Sequence, residues 1–529
     1  MTATKLLKAY LVALFVVFLY YGRQIACCSK DIHRYFGQWS HRDALAIIVG
    51  VLVPATCAFG LYLLVRWARS DVPARVFNHV FLIVLIYGLF ALSGTRFFVL
   101  HPKAWPVMWA PLLAVIGYSL VKRKTRLVRY AYNVCLAFSP VVVIVFAQML
   151  CWPAWRSWRE PPVSAPVQAN VTESKPPVFV FVFDEWSYDR STAQGRFHAY
   201  FHNLQKLCNQ SILFRRARSP YPSTEVSIPR MIYQSEKAIK VDGGRPYFRA
   251  GDGRVMTSDA PSLFGMARDQ GYNTAVMGVY LPYRKILGSQ VDCCREYAYE
   301  PKGDDFLEAV LYRAFDNIKF WRDPLSRYVW RNTFPKVRSE YWFEMNNQCR
   351  DDVLNLIDTW PDNTFAFIHW PFPHHPFIFN ADGSYHGPFH GTEPRIGTPD
   401  EYDRHLQFLD RLIGRVIGAL KASGKFEQSL IVITSDHSWR EDPDPSFRQE
   451  PEWECRVPLV IKLPGQQSGM VIDDELRTNR LQPLFEAVFA GEQDTERLVD
   501  LVRALPAKPN TAVCRSSEKG SLRNVEDAQ

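Results

Sequence analysis

Apolar residues are spread along this chain in two different ways. Up to Cys151 they form five long, nearly unbroken stretches: Leu6–Tyr21, Ala44–Val65, Val76–Phe98, Trp105–Val121 and Tyr130–Cys151. A run of about 20 apolar residues is the length of helix that crosses a hydrocarbon core. The pattern therefore predicts an α-helical membrane domain of five transmembrane helices over residues 1–152. No clean small-residue cleavage site follows the first stretch, which reads as a retained anchor and not a signal peptide. Beyond Pro177 the apolar runs are short. Val178–Phe183, Thr274–Val279, Thr364–His369, Leu430–Thr434 and Leu459–Lys462 read as strands. Helical periodicity appears between them, around Ala260–Gln270, Glu340–Asp358, Pro399–Ser423 and Leu481–Ala490. Strands alternating with helices predict an α/β domain over residues 177–505, its mostly parallel sheet sandwiched by helices. The proline-dotted residues 153–176 read as a linker, and 506–529 as a polar tail.

Charge changes the picture only when it is divided. The formal net charge is +9, yet residues 1–152 hold sixteen Lys and Arg against three Asp, and the remainder is slightly acidic. A nucleic-acid binder would carry its basic patch on the folded domain. Here the excess lies between apolar stretches, ten basic residues on one side of the predicted membrane and six on the other. The positive-inside rule then puts the N-terminus in the cytoplasm and the α/β domain outside a multi-pass protein of the cell (inner) membrane. In that oxidising setting Cys208, Cys293, Cys294, Cys349, Cys455 and Cys514 allow one to three disulfides. No C-x-x-C pair is present, so a thiolate zinc site is not expected.

Candidate chemistry collects at strand ends. Leu430–Thr434 runs into Ser435-Asp436-His437, and Val178–Phe183 into Asp184-Glu185. Ligands of open α/β sheets sit beyond the carboxyl ends of the strands, and carboxylates with an imidazole suit a divalent cation. A third segment, Tyr221–Met231, reads as a loop entering a helix, with Ser227 as its cap and Pro229 in the first turn. Thr224 then lies where backbone N–H groups favour anions. On the residues alone, Thr224 and Ser227 read first as plain helix caps.

Taken together, these segments resemble the alkaline-phosphatase superfamily, in the sulfatase-like branch with lipoteichoic acid synthases and phosphoethanolamine transferases. The resemblance runs from about Pro177 to Ala490, with its motifs in the family's order. Asp184-Glu185 matches the metal-binding acid after the first strand. Thr224-x-x-Ser227-x-Pro229 matches the T-x-x-S-x-P nucleophile motif of the phosphoethanolamine transferases. Gly271 to Gly278 follows the G-Y-x-T strand, and Pro373-His374-His375-Pro376 the P-H-x-P loop. Ser435-Asp436-His437 matches S-D-H-G except that Ser438 replaces the glycine, and Arg456-Val457-Pro458-Leu459 matches the R-V-P-L strand. The resemblance implies Thr224 as nucleophile and one divalent ion, zinc or manganese with calcium as the alternative. Its ligands would be Asp184, Glu185, Thr224, Asp436 and His437, with the primary acid left open between Asp184 and Glu185. His374 would bind substrate and serve the leaving group, with His375 as its alternative. Arg440, or Arg448, would clamp the anion. His369 reads either as support for the site or as core, and His386, His390 and His405 as surface or loop residues.

The departures are equally informative. Sulfatases oxidise a Cys or Ser within C/S-x-P-x-R to formylglycine, but in Ser227-Ile228-Pro229-Arg230 the arginine comes one place early. The family's G-K-x-H is absent, since Val279 and Leu281 follow Gly278, and no histidine follows His437. Phosphoryl chemistry on Thr224 is therefore expected over sulfate-ester cleavage. The expected function is a membrane-anchored, metal-dependent transferase that moves a phospho-headgroup through a phosphothreonine. Its partners would be a membrane phospholipid donor and an exported glycan, lipid or protein acceptor, with no nucleic acid. The alternatives are an anchored hydrolase of phosphate or sulfate esters and a binding protein without turnover.

Overall fold

The computed structural model describes residues 2–27, 41–67, 81, 85, 125–159, 175–242, 245–250, 253–297, 335–387 and 398–507. The N-terminal part contributes three described helices, α1 (Ala3–Cys27), α2 (His41–Trp67) and α3 (Thr125–Arg159). They share a core of Leu14, Phe18, Val51, Ala55, Val142 and Met149. Leu61, Leu64, Phe138, Val143 and Ile144 stay exposed on their outer faces. By length and composition two helices are fit to cross a membrane, at Ile48–Val65 and Val128–Cys151. Among the described residues there are thus two candidate spans, where five were expected. The stretch Leu6–Tyr21 is helical within α1, but its apolar run is short of the about 20 residues a bilayer requires. Apart from Phe81 and Leu85, Val76–Phe98 and Trp105–Val121 lie outside the described residues. The helix α3 also continues through Pro153 to Arg159, into the expected linker.

The α/β domain is built on one eight-stranded sheet. Its strands are β1 (Val178–Asp184), β2 (Ile212–Arg218), β3 (Asn273–Val279), β4 (Cys293–Tyr297), β5 (Thr364–Pro373), β6 (Leu430–Ser435), β7 (Leu459–Lys462) and β8 (Met470–Arg477). Their spatial order is β8-β2-β7-β6-β1-β5-β3-β4. The run from β6 to β4 is parallel, while β7 is antiparallel to both of its neighbours. The centre of the sheet is buried on both faces, so its strands read as continuous apolar runs. Side chains alternate between faces along a strand. In β1, Phe179, Phe181 and Phe183 enter one core and Val178, Val180 and Val182 the other. The helices α4 (Thr224–Tyr233), α5 (Leu263–Asp269), α6 (Pro335–Thr359), α7 (Pro399–Ala422) and α8 (Gln482–Phe489) supply the covering residues. All five predicted strands appear, four of them with longer ends. Cys455 is disulfide-bonded, while Cys208, Cys293, Cys294 and Cys349 are free.

Candidate active site and metal centre

The parallel pairing of β1 with β6 positions the first acids. Phe183 is in register with Ser435, and the Asp436 N–H donates to the Phe183 carbonyl at 3.1 Å. Asp184 and Asp436 therefore emerge side by side at the carboxyl edge of the sheet. The next residue breaks the strand's alternation. Glu185 takes a left-handed φ of 62°, an uncommon and strained conformation for a residue with a β-carbon. Two bonds hold it there. Its N–H donates to Oδ1 of Asp436 at 3.2 Å, and its carbonyl accepts the Tyr402 hydroxyl at 2.7 Å.

Thr224 arrives on α4. The helix begins at Thr224 itself, with Ser223 as the preceding cap residue, so Ser227 is not a cap as expected. Ser227 lies within the helix, fully buried, and its hydroxyl donates to the Asp436 carbonyl at 2.6 Å. Pro229 likewise lies inside the helix and not in its first turn. The result is a fixed hydroxyl in the helix's first turn. Thr224 Oγ1 donates to Oδ2 of Asp436 at 2.6 Å and stands 3.3 Å from Nε2 of His437.

The floor of the site is a buried group of Asp184, Asp436 and His437 whose ligand atoms could hold one metal ion. Among the described residues, neither Asp184 oxygen has a hydrogen-bond partner. Burial raises the Asp184 carboxyl well above its ordinary range, with Asp436 and Glu185 adding repulsion. Burial pushes Asp436 up to about 7. His437 donates from Nδ1 to the Ser438 carbonyl at 2.9 Å, which leaves the lone pair on Nε2. That atom lies 3.4 Å from Asp436 and 3.7 Å from Asp184, and burial holds its pKa well below the usual value. A buried carboxylate with bare oxygens, beside a second carboxylate and facing an imidazole lone pair, fits a divalent cation. The mixed oxygen and nitrogen donors suit zinc or manganese, and an all-oxygen calcium site less well.

Glu185 belongs to a second group. Its Oε1 accepts Nε and Nη2 of Arg440 at 3.2 and 3.0 Å, and its Oε2 lies 3.8 Å from Nε2 of His374. Glu185, His374 and His375 form a further set able to hold an ion. The expected single set of ligands is thus divided: Asp184 faces Asp436 and His437, while Glu185 turns to the two histidines and Arg440. Arg440, expected to be free for an anion, is engaged with Glu185 and leaves 38% of its side chain exposed. Arg448 is exposed over the Trp453 ring. His405 is wholly buried and not at the surface, because it lies on the apolar face of α7 and accepts the Phe379 N–H at 3.1 Å. His386 is exposed, and His390 lies outside the described residues. Sequence reasoning missed two tyrosines. Tyr402 clamps the Glu185 turn, and Tyr283 bonds His369 Nδ1 at 2.7 Å.

The arrangement can ionise a hydroxyl beside a cation and offer it to an electrophilic phosphorus or sulfur. A family model described as Sulfatase matches residues 176–481. No curated protein matches the chain. Among solved structures it is similar to Ps i-CgsB in complex with k-i-k-neocarrahexaose, at 16% identity over 61% of this chain and 74% of that one, TM-score 0.42. It is also similar to the PsFucS1 sulfatase from Pseudoalteromonas sp., at 15% identity over 60% and 68%, TM-score 0.39. The phosphonate monoester hydrolase of Agrobacterium radiobacter shares 14% identity over 61% and 74%, TM-score 0.36. With the family model spanning more than half of its length, the chain belongs to the Sulfatase family, in the sulfatase-like branch of the alkaline-phosphatase superfamily.

Proposed function

We propose that this protein is a metal-dependent hydrolase of phosphate esters that works through a covalent phosphothreonine at Thr224. The observation that carries the reading is the Thr224 hydroxyl, 2.6 Å from Oδ2 of Asp436 in the first turn of α4. Threonine bears a methyl group on Cβ, so oxidation there yields at most a ketone and never the aldehyde that sulfate-cleaving relatives employ. Phosphoryl transfer needs in-line positioning and neutralised charge more than special covalent chemistry.

Oδ2 of Asp436 takes the proton as Thr224 Oγ1 attacks phosphorus. The bond from phosphorus to the leaving oxygen breaks, and His374, protonated at Nε2 beside Glu185, supplies that oxygen with a proton. Water then attacks the phosphothreonine and gives a proton to His374, now neutral; the bond from phosphorus to Oγ1 breaks, and Asp436 returns its proton to Thr224. A divalent ion at Asp184, Asp436 and His437 supplies charge neutralisation and lowers the hydroxyl's pKa. Arg440 orients Glu185 and borders the anion's approach.

A second reading, transfer of a phospho-headgroup from a membrane phospholipid to an exported acceptor, draws support from the N-terminal helices. The apolar outer faces of α2 and α3 suit a lipid anchor, which would hold the site close to a phospholipid donor. In this reading an acceptor hydroxyl replaces water in the second step. One experiment tests both. The purified full-length chain in detergent, with zinc or manganese, is offered bis(p-nitrophenyl) phosphate, p-nitrophenyl sulfate and a labelled phospholipid. Release of nitrophenol from the phosphate diester supports the hydrolase, and cleavage of the sulfate alone would overturn it. Diacylglycerol release that depends on an added acceptor favours transfer.

A further inference from the structure

A second imidazole approaches Asp436 from β5. His369 is wholly buried, and its Nε2 lies 3.9 Å from Oδ2 of Asp436, the oxygen that accepts the Thr224 hydroxyl. Among the described residues that nitrogen has no hydrogen-bond partner. Nδ1 has two neighbours, the Tyr283 hydroxyl at 2.7 Å and the Val279 carbonyl at 3.2 Å. The Val279 carbonyl already accepts the Leu281 N–H at 2.8 Å. The Tyr283 hydroxyl is fully buried, and Nδ1 is the one acceptor it reaches among the described residues. A buried O–H without an acceptor is costly, so the hydroxyl donates to Nδ1 and the ring proton belongs on Nε2. The other tautomer would turn a lone pair on the Asp436 carboxylate, with no donor between them. Hydrogen-bond accounting and electrostatics therefore favour the same tautomer, with an N–H directed at Asp436.

Access for Tyr283 is itself built in. His369 is in register with Gly278 on the neighbouring strand β3. A β-carbon at position 278 would lie 2.5 Å from the Tyr283 ring, a separation that real contacts do not show. The missing side chain opens the slot that the ring fills beside His369. Gly278 thus has a steric task, Tyr283 a tautomer-setting task, and His369 an electrostatic one.

We propose that His369, held in its Nε2–H form by Tyr283, is a positioning residue that keeps Oδ2 of Asp436 turned toward Thr224 and the bound ion. At 3.9 Å the N–H acts as a dipole facing the carboxylate and not as a hydrogen bond. Residues that steady metal-ligating side chains commonly govern affinity by about 10- to 100-fold. The proposal rests on the ion site of the preceding section.

The test is zinc and manganese titration of the full-length chain by calorimetry, with the metal-free melting curve as the check on folding. His369→Ala should weaken ion binding by about 10- to 100-fold. His369→Gln, whose amide N–H reaches the same region, should recover most of that loss. A residue that served packing alone would not show this pattern of rescue. Tyr283→Phe preserves the ring's volume and should weaken binding by several-fold, yet add nothing in the His369→Ala background. Binding within twofold of wild type in a folded His369→Ala chain overturns the positioning role alone, as does an undiminished Tyr283→Phe effect in that background. A wild-type chain that takes up neither metal overturns the ion site and this proposal with it.

Discussion

Asp184 and Glu185 are neighbours in the chain, yet the floor and the rim of the site treat them in opposite ways. On the floor, Asp184 and Asp436 are fully buried and no arginine or lysine bonds them. On the rim, Glu185 is equally buried but accepts two N–H bonds from Arg440. The rim neutralises itself within the protein. The floor leaves two carboxylates side by side, a set that could hold a metal ion. An acidic pair at a strand end is therefore not one ligand written twice, and the left-handed turn at Glu185 is what separates the two roles.

The largest effect is expected at the hydroxyl between the two regions. Thr224→Ala should lower phosphodiester turnover by at least about 10³-fold while ion uptake largely persists. Steady-state rates beside metal analysis check this, and retained turnover would move the chemistry elsewhere. Next come the two acids. Asp184→Asn should cost ion affinity on the order of 100-fold and Glu185→Gln only about 10-fold, by calorimetric titration. Equal losses would merge floor and rim into one centre.

Acidity probes the floor alone. Asp436 is pushed up to about 7, so as pH falls through that value its carboxyl takes a proton that the ion must displace. Ion affinity should fall by about tenfold per pH unit below 7, with proton release visible on changing the buffer. The sign for stability is opposite. Without the ion, Asp436 binds more protons folded than unfolded between about pH 4 and 7, so its own contribution to stability should decline as pH rises across that window, while the buried imidazoles of His369, His405 and His437, held below their usual pKa, contribute with the opposite sign. The smallest effect is on the metal-free melting curve. Asp184→Asn removes one of two facing like charges and should raise the melting temperature. Glu185→Gln should lower stability by about 1 kcal/mol, discounted because Arg440 is partly exposed.

The central strands were legible because burial on both faces turns them into unbroken apolar runs, as in Val178–Phe183. The strands β2 and β8 were not. Ile212–Arg218 carries three arginines, and Met470–Arg477 is an edge strand with acids in its middle. For the same reason the acids and His437 could be read from strand ends, as could Thr224 from its loop. Local pattern misread Ser227, since its bond to the Asp436 carbonyl joins segments 209 residues apart. Tyr283, Tyr402 and His405 were hidden in the same way, their partners lying 86, 217 and 26 residues away. Their roles arise where helices and strands meet, and no periodicity records them. Nor does local spacing disclose that Arg440 turns to Glu185.

Thr224, as the proposed nucleophile, enters its chemistry as an unmodified, genetically encoded side chain and would need no maturation enzyme to install it. Expression in a host lacking any such helper should therefore yield competent protein, with metal supply the remaining requirement.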